Sequence, residues 1–362
     1  MSQPIQVAVV GGGVAAAAAC HTLFAQGIEP VWVAPQHPVD HQWVGESLSA
    51  QGVRVLDSMG LCGLLEHPAH RPANTRFAAW GRAALIENHA STSVYGAGMV
   101  IDRGIFETGL LQQVQLAPCR AYLTRAERID GGFELSLSAG DSLRVAHVVD
   151  ASGRAAVFAR RYTEYCRHDQ LIAAVAILTR KNNDVEPTPA TIIEATPCGW
   201  WYAALLTGER LVVAYFSDPD LLPRGLSRHP NVWRDLIASS THVSHWLAET
   251  GFQPQAAPRL HSAGTTWLQT PAVSYSDGAS WIAAGDAALS LDPLSSHGLT
   301  TALWGGWQAG LAMAARVRGL AGTAFPDYAA KIHAGRTRYM QERASIYRLE
   351  HRYASMPFWR RR

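Results

Sequence analysis

The chain has 362 residues, of which 48% are hydrophobic, so it can bury a large core. A formal net charge of +2 favours neither a nucleic-acid partner nor binding to an acidic membrane surface. The five cysteines are scattered without Cys-x-x-Cys spacing, which indicates neither a disulfide framework nor a metal site. A strand pattern begins almost directly after Met1, without a long apolar stretch or cleavage site, so we expect a cytoplasmic protein with no membrane partner.

A glycine-rich turn is predicted near the start of the chain. The apolar residues 7–10 predict a buried strand, and the alanine-rich run that ends at Phe24 predicts a helix. Residues 11–13 between them are glycines, which permit a tight turn in front of a helix N-terminus that attracts phosphate. A second predicted strand over 31–33 completes a βαβ unit, which implies a parallel sheet with helices on its faces.

Two later segments extend this pattern. Residues 150–154 read Asp-Ala-Ser-Gly-Arg, and the apolar run 281–284 ends in Gly-Asp, where the Asp286 carboxylate can accept hydrogen bonds from sugar-alcohol hydroxyls. The segment 285–298 then leads into a predicted helix over 299–317, whose N-terminal amides favour negative charge. The alternative to a cofactor site here is an ordinary strand, loop and helix in which the Asp caps the helix. The order and spacing of the three segments instead predict one fold that receives FAD along its whole length.

The middle of the chain has a different pattern. The apolar runs 171–178, 191–194, 200–205 and 211–216 predict an antiparallel sheet that forms a wall over the flavin. A helix is predicted over 231–250, and a packed C-terminal helix over 328–351. The predicted domains are a discontinuous FAD-binding domain (1–75, 96–165 and 275–323), a substrate domain (76–95 and 166–274) and a C-terminal helical segment (324–362).

Five stretches carry a family resemblance, and they are Gly45-Glu46-Ser47-Leu48, Ile101-Asp102-Arg103, Asp150-Ala151-Ser152-Gly153-Arg154, the run from Gly285 to Gly298, and Pro357-Phe358-Trp359-Arg360-Arg361-Arg362. With them the chain resembles the tryptophan-halogenase-like branch of the FAD monooxygenases over nearly its whole length. It is most similar to the monooxygenase-like members, including flavoproteins that build cysteine tryptophylquinone in partner oxidases and dehydrogenases. The resemblance implies an α/β fold, in which a Rossmann-like FAD domain of the glutathione-reductase type is interleaved with an antiparallel-sheet substrate domain and followed by a C-terminal helix.

Two departures from the family concern halogenation. Halogenases use a lysine downstream of the Gly-Glu segment, whereas this chain has no lysine before Lys181, and residues 77–80 (Phe-Ala-Ala-Trp) occupy that neighbourhood. The family's Trp-x-Trp-x-Ile-Pro signature is half kept at residues 200–205. We therefore do not expect halogenation by the usual route, and we interpret Trp200 and Tyr202 as substrate-binding wall residues, with a structural role as the simpler alternative.

A further departure concerns FAD affinity. After its second strand a nucleotide-binding fold presents an acidic residue to the ribose, whereas this chain continues Ala-Pro-Gln-His over 34–37. Gln36 can hydrogen-bond a hydroxyl without charge assistance, and Ala16 replaces the last glycine of the fingerprint, so we expect weakened FAD binding. The residues predicted to bind FAD are Gly11, Gly13, Ala16, Gln36, Arg103, Gly153, Asp286, Pro293 and Gly298.

Three residues are candidates for catalysis: Glu46, His297 and Asp292. Glu46 follows the second strand at a position whose family counterpart approaches the flavin, where it can orient substrate or accept a proton; the alternative is a helix N-cap or a structural hydrogen bond. His297 precedes Gly298 in the loop expected beside the flavin ring, and an imidazole there can relay a proton. For Asp292, the alternative to a catalytic role is that it only fixes the turn before Pro293. For Arg103, the alternative to a cofactor contact is an ordinary ion pair.

The leading hypothesis is an FAD-dependent monooxygenase that hydroxylates a tryptophan side chain of a partner protein precursor during tryptophylquinone maturation. One alternative is a small-molecule aromatic hydroxylase, and another is a maturation chaperone that lost productive flavin binding. The sequence has no second glycine-rich nucleotide fold, so electrons are expected from a separate flavin reductase or from transiently bound NAD(P)H.

Overall fold

The computed structural model describes residues 5–36, 46–90, 96–180, 185–320 and 322–362. Gly45 of the family motif, His37 and Lys181 lie outside the described residues. The described α-helices are α1 (Val14–Ala25), α2 (Ala50–Ser58), α3 (Arg103–Gln112), α4 (Pro230–Ala238), α5 (His242–Thr250), α6 (Gly298–Val317), α7 (Ala324–Arg348) and α8 (Pro357–Arg360).

The described strands run through most of the chain. They are β1 (Ile5–Val10), β2 (Val31–Val33), β3 (Ser47–Leu48), β4 (Arg71–Ala73), β5 (Thr75–Ala79), β6 (Ile86–His89), β7 (Gly98–Val100), β8 (Leu123–Ile129), β9 (Gly132–Leu137), β10 (Ser142–Asp150), β11 (Tyr165–Arg167), β12 (Ile172–Arg180), β13 (Ala190–Thr196), β14 (Gly199–Leu205), β15 (Arg210–Ser217), β16 (Phe252–Gln253), β17 (Arg259–Ser262), β18 (Thr266–Leu268), β19 (Ala272–Ser274), β20 (Ser280–Ala283) and β21 (Leu289–Ser290).

The first large sheet has the strand order β19-β20-β10-β1-β2, with the β8–β9 hairpin continuing from β10. The strands β20, β10, β1 and β2 are parallel, and Asp150 at the end of β10 is in register with Val10 and Ala283. This confirms the prediction that the segments near 143–150 and 281–284 return to the sheet opened by β1. The ends of β1, β10 and β20 therefore lie at one edge, where α/β folds place their ligands.

Helices α1 and α6 pack in parallel beside this sheet because both carry small residues at their contact. A Cβ added at Gly310 would lie 2.8 Å from the Cβ of Thr22, and one added at Gly306 would lie 2.8 Å from the Cβ of Ala18. The alanine-rich sequence of α1 thus serves close helix packing. The packing brings the N-terminus of α1 against the second turn of α6.

The second large sheet has the order β16-β12-β15-β14-β13-β5-β6, with β17 also paired to β12. The four apolar runs predicted as strands correspond to β12, β13, β14 and β15, which pair antiparallel as expected. The pairing of β13 with β5 is parallel, so the complete sheet is mixed rather than purely antiparallel. We propose that the chain divides into an FAD-binding domain, a substrate domain and a C-terminal helical segment, as predicted from the sequence. The proposal is supported by β5 and β6, which join the second sheet from a distant part of the chain.

Two helix predictions need correction at their boundaries. The single helix predicted over 231–250 is two helices, α4 and α5, separated at Ser239–Thr241, because the buried Glu194 carboxylate accepts hydrogen bonds from the amides of Thr241, His242 and Val243. The predicted helix over 328–351 begins four residues earlier and ends three residues earlier, as α7. Within the described ranges, no helix combines the length and apolarity that crossing a membrane requires.

Candidate functional site

The three predicted segments meet at the carboxyl edge of the first sheet. Gly11 has φ +137°, and an added Cβ would overlap the carbonyl oxygen of Ala151. The Ala284 amide donates to the Asp150 carbonyl at 2.8 Å. Gly285 has φ +59°, and an added Cβ would lie 2.7 Å from the Cβ of Ala15. Glycine is thus required at both turns, and segments far apart in sequence form one surface.

The N-terminus of α1 is suited to a phosphate. Gly13 is the N-cap residue, no side chain caps the helix, and the first turn carries no acidic residue. The first-turn amides of an α-helix lack intrahelical acceptors and attract anions. A Cβ added at Gly13 would meet no atom within 4 Å, so there is room for a ligand at this turn. These residues fit the pyrophosphate of a dinucleotide such as FAD.

Asp150 fixes the turn after β10 rather than facing a ligand. Its fully buried carboxylate accepts hydrogen bonds from the amides of Ser152, Phe158 and Ala159 at 3.0, 3.0 and 2.7 Å. Burial raises the pKa of Asp150, and these hydrogen bonds oppose that rise. The bonds hold Gly153, with φ +67°, at the start of a short 3₁₀ turn.

A cavity of about 370 Å³ lies between this surface and the second sheet. Its size is typical of a small-molecule site. The walls combine residues near the predicted FAD segments with residues of the mixed sheet. The first group is Glu46, Ser47, Arg103, Arg154, Asp286, Leu291, Pro293, Ser296, Gly298, Leu299 and Ala302, and the second is Ala173, Val175, Trp200, Tyr202, Val212, Ala214, Phe216, His261, Ser262 and Ala263.

Asp286 and Arg154 form an ion pair in the cavity wall. The Arg154 Nε atom lies 3.5 Å from Asp286 Oδ2, and Arg154 also donates to the carbonyls of Gly264 and Leu291. Asp286 is predicted from the sequence, whereas Arg154 is not, although Arg154 belongs to the Asp-Ala-Ser-Gly-Arg run. The pair places an acceptor and a donor at the cofactor end of the cavity.

Asp286→Asn should lower FAD affinity by about tenfold, because a charge-assisted hydrogen bond to a cofactor hydroxyl would become a neutral one. Fluorescence titration of the apoprotein with FAD measures the change. Asp277→Asn is the matched control, since Asp277 forms a surface ion pair with Arg128 at 2.5 Å beyond the other end of β20. Equal affinities of the two variants would contradict the assignment of Asp286.

Glu46 also lines the cavity and lies directly before β3. Its side chain is buried, and it lies beside the Tyr202 hydroxyl. Burial and then the neighbouring Glu46 charge raise the pKa of Tyr202 well above its usual value. The cap of α2 is Ser49, whose hydroxyl accepts from the Gly52 amide at 3.2 Å, so Glu46 does not cap that helix. Its role in catalysis stays a prediction.

Arg103 forms the ion pair that is the simpler alternative to a cofactor contact, and it also lines the cavity. It is the first residue of α3, pairs with the buried Glu107 one turn later, and lines the cavity. The helix itself is capped by Asp102, whose carboxylate accepts from the Ile105 amide at 3.1 Å. The predicted contact of Arg103 with the cofactor stays a prediction.

Asp292 lies behind the cavity wall in a buried network. Its carboxylate accepts hydrogen bonds from the Leu294 amide at 2.9 Å, the Tyr347 hydroxyl at 2.8 Å and Arg343 Nε at 3.3 Å. Burial raises the pKa of Asp292, and the Arg343 charge opposes the rise. The neighbours Leu291 and Pro293 line the cavity. This geometry favours the alternative that Asp292 fixes the turn, anchored by α7.

His297 is half-buried and stands immediately before α6. It lines a second cavity of about 440 Å³, which shares Ser47 and Ser296 with the first. Among the predicted cofactor residues, Pro293 and Gly298 line the first cavity, whereas Ala16 is buried within α1 and Gln36 is exposed after β2. The structure therefore brings Glu46, Arg103, Asp286, Pro293 and Gly298 together and sets His297 beside them.

The aromatic wall belongs to β14 and β15. The ring of Trp200 stacks on Phe216 with centroids 4.0 Å apart, and its Nε1 donates to the Tyr347 hydroxyl at 3.2 Å. Trp80 follows β5 and packs edge-on against Trp200 and Trp359, with its Nε1 donating to the Ile346 carbonyl. The neighbourhood in which halogenases carry a lysine is thus occupied by a packed indole.

No family model matches the chain. It is 26% identical to LodB of Marinomonas mediterranea, an FAD-dependent oxidoreductase, over 98% of this chain and 95% of that protein. It superposes on the peptidyl tryptophan dihydroxylase QhpG with a TM-score of 0.77 (24% identity, 99% of this chain, 78% of that one). The TM-score with the myxobacterial chondrochloren halogenase CndH is 0.85 (16% identity, 99% of this chain, 86% of that one). The chain therefore has the fold of these flavoproteins.

The residues at the carboxyl edge of the first sheet fit FAD. The uncapped N-terminus of α1 and the turn at Gly11 would hold the pyrophosphate, and Asp286 with Arg154 would hold the polar chain toward the flavin ring. The loop from Pro293 to Gly298 would then border the flavin ring on the side of the first sheet. The apolar residues of the mixed sheet would lie on the opposite side of the ring.

Proposed function

We propose that this protein is an FAD-dependent monooxygenase that hydroxylates a tryptophan side chain of a partner protein precursor during tryptophylquinone cofactor maturation. The observation that carries the proposal is the cavity in which the cofactor residues face an apolar and aromatic wall. Bound FAD supplies reducing equivalents that activate oxygen for transfer to an electron-rich ring. The wall of Trp200, Tyr202 and Phe216 suits such a ring.

Specific residues would serve the substrate in this cavity. The Glu46 carboxylate is an acceptor for the proton that leaves the aromatic ring carbon when a hydroxyl is added, and Tyr202 would orient it. The small side chains of Ala173 and Ala214 leave space over the sheet for a planar ring. The ion pair of Arg343 with Asp292 would keep the loop at Pro293 in place while the substrate binds.

Hydroxylation is favoured over halogenation by the surroundings of Trp80. A halogenase of the usual kind needs a lysine ammonium within its active site. Lys331 is on α7 and donates to Gln308 at 3.3 Å, and Lys181 is the other lysine of the sequence. Lys331 is not among the described residues that line the cavity, and Lys181 lies outside the described residues.

A protein substrate is supported by the fold shared with QhpG. QhpG is described as a peptidyl tryptophan dihydroxylase essential for tryptophylquinone cofactor biogenesis. We propose that the partner here is likewise the precursor of a quinone-cofactor oxidase or dehydrogenase. Electrons would come from a flavin reductase or from NAD(P)H.

Incubation of the holoenzyme with such a precursor, oxygen, a flavin reductase and NADH should raise the precursor's mass by one oxygen atom per hydroxylation, or by one oxygen less two hydrogens after oxidation to a carbonyl. Intact-protein mass spectrometry measures this, and peptide mapping should locate it at a tryptophan. A precursor with that tryptophan replaced by phenylalanine is the matched control. Added chloride or bromide should give no halogenated product. An unchanged precursor, together with turnover of a free aromatic compound, would contradict the protein-substrate function.

A further inference from the structure

His261 is a half-buried histidine in the cavity wall that the proposed mechanism does not use. It lies on β17 at the outer edge of the mixed sheet. Its Nε2 atom is shielded from solvent and has no hydrogen-bond partner among the described residues. A shielded polar atom without a partner is destabilising, so such atoms in native proteins usually meet a ligand or an ordered water.

The strand register places His261 opposite the aromatic wall. His261 pairs with Ala173 on β12, Ala173 pairs with Phe216 on β15, and Phe216 pairs with Trp200 on β14. Residues in register across a sheet point to the same face. Three strand spacings separate His261 from Trp200, which is roughly 14 Å between their Cα atoms. His261 and the Trp200–Phe216 stack therefore stand at two ends of one row.

The surface between those ends is made of small apolar side chains. Ala173 lies in the same row, and Val175 and Ala214 lie in the adjoining row, in register with each other. A planar ring lying over these residues would contact the aromatic stack at one side and the His261 imidazole at the other. Such a ring would be shielded from water on the sheet side.

The chemistry of the imidazole limits what it can recognise. Burial, and then the nearby Arg259 charge, lower the pKa of His261, so the ring is neutral near pH 7. A neutral imidazole with its proton on Nδ1 presents Nε2 as an acceptor. An indole N–H can only donate a hydrogen bond, so its partner must be an acceptor such as Nε2.

We propose that His261 Nε2 accepts a hydrogen bond from the indole N–H of the substrate tryptophan and so selects indole over other aromatic rings. This inference rests on the proposed function, because it assigns a tryptophan ring to the same cavity. His261 acts as a specificity-determining residue that touches the substrate, while the reacting carbon lies elsewhere on the ring.

The test measures binding of free indole and of benzofuran to the FAD-loaded enzyme by isothermal titration calorimetry. Benzofuran has a similar ring shape without the N–H. The wild-type enzyme should bind indole about tenfold more tightly than benzofuran, as expected for one hydrogen bond. His261→Phe should lose this preference, and His261→Gln should retain it because the glutamine carbonyl oxygen can replace Nε2 as acceptor.

Two further readouts separate this role from others. His261→Phe should leave FAD affinity and the melting temperature unchanged, whereas a drop in FAD affinity alone would overturn the proposal by assigning the histidine to the cofactor. With the precursor as substrate, His261→Phe should raise KM more than it lowers kcat. Equal binding of indole and benzofuran by the wild-type enzyme would also overturn it.

The outcomes distinguish failure of this inference from failure of the proposed function. A precursor that gains oxygen while His261→Phe keeps the full indole preference would leave the function standing and overturn the role of His261. A precursor that stays unmodified while the indole preference depends on His261 would overturn the protein-substrate function and support the binding role.

Discussion

Replacing Gly11 by alanine is expected to abolish FAD binding and to lower the free energy of unfolding by about 2–6 kcal/mol. The backbone at Gly11 has φ +137°, which L side chains rarely adopt, and the added methyl would overlap the Ala151 carbonyl oxygen. The first and second segments of the cofactor site would have to separate at this point. Denaturant unfolding and FAD titration of the purified variant measure the two effects.

Two other glycines serve as matched controls for Gly11→Ala. Gly63→Ala should change neither quantity, because its added Cβ would meet no atom within 4 Å and the residue lies in a short 3₁₀ helix away from the cavity. Gly13→Ala should keep the stability and lower FAD affinity, since its φ of −100° is allowed and the open space beside it is where the pyrophosphate is proposed to lie. A Gly11→Ala protein that still folds with normal stability and binds FAD would contradict the convergence of the segments.

Arg343→Met is expected to lower the free energy of unfolding by about 3–5 kcal/mol, because it leaves a buried carboxylate without its cation. The Arg343 side chain is 3% exposed, and the Asp292 side chain that it contacts is 0% exposed. Arg343 also holds Asp169 at 3.0 Å, so the variant would loosen both the loop before Pro293 and the start of the mixed sheet. Denaturant unfolding measures the loss, and a weaker FAD affinity should accompany it.

The pH dependence of this variant provides a second measurement. Burial already raises the pKa of Asp292, and removing Arg343 should raise it further. A carboxyl group whose pKa is higher in the folded protein than in the unfolded chain stabilises the fold below the unfolded pKa and destabilises it as pH rises through the folded pKa. The stability deficit of Arg343→Met should therefore be larger at neutral pH than at acidic pH.

The matched control for this variant is Arg348→Met. Arg348 lies on the same helix, is exposed, and donates to the Ala344 carbonyl at 3.1 Å. Its replacement should change the free energy of unfolding by less than about 0.5 kcal/mol. Equal losses in the two variants, or a deficit of Arg343→Met that grows as the pH falls, would contradict the role given to the buried network.

The sequence predicted the architecture well because local patterns determine it. The apolar strand before three glycines, the alanine-rich helix after them and the Gly-Asp run at the end of β20 each have a local physical reason to form a turn or a close contact. The Gly-Asp run also pointed to Asp286, which the structure places in the cavity wall. These features could be read without knowledge of the tertiary structure.

The remaining features depend on contacts between distant segments. The role of Arg154 follows from its pairing with Asp286, which lies more than a hundred residues away. The burial of Asp292 follows from Arg343 and Tyr347 on the C-terminal helix. The helix break between α4 and α5 arises from Glu194 on a strand of the second sheet. A single sequence contains no local signal for such partners.

The most direct test of the account is a saturating titration of the purified protein with FAD, followed by absorbance and by analysis of the bound flavin. We expect one FAD per chain and a perturbed flavin spectrum, because the cofactor would lie between the α1 N-terminus and the mixed sheet. A protein that binds no FAD at saturation and causes no spectral change would contradict it.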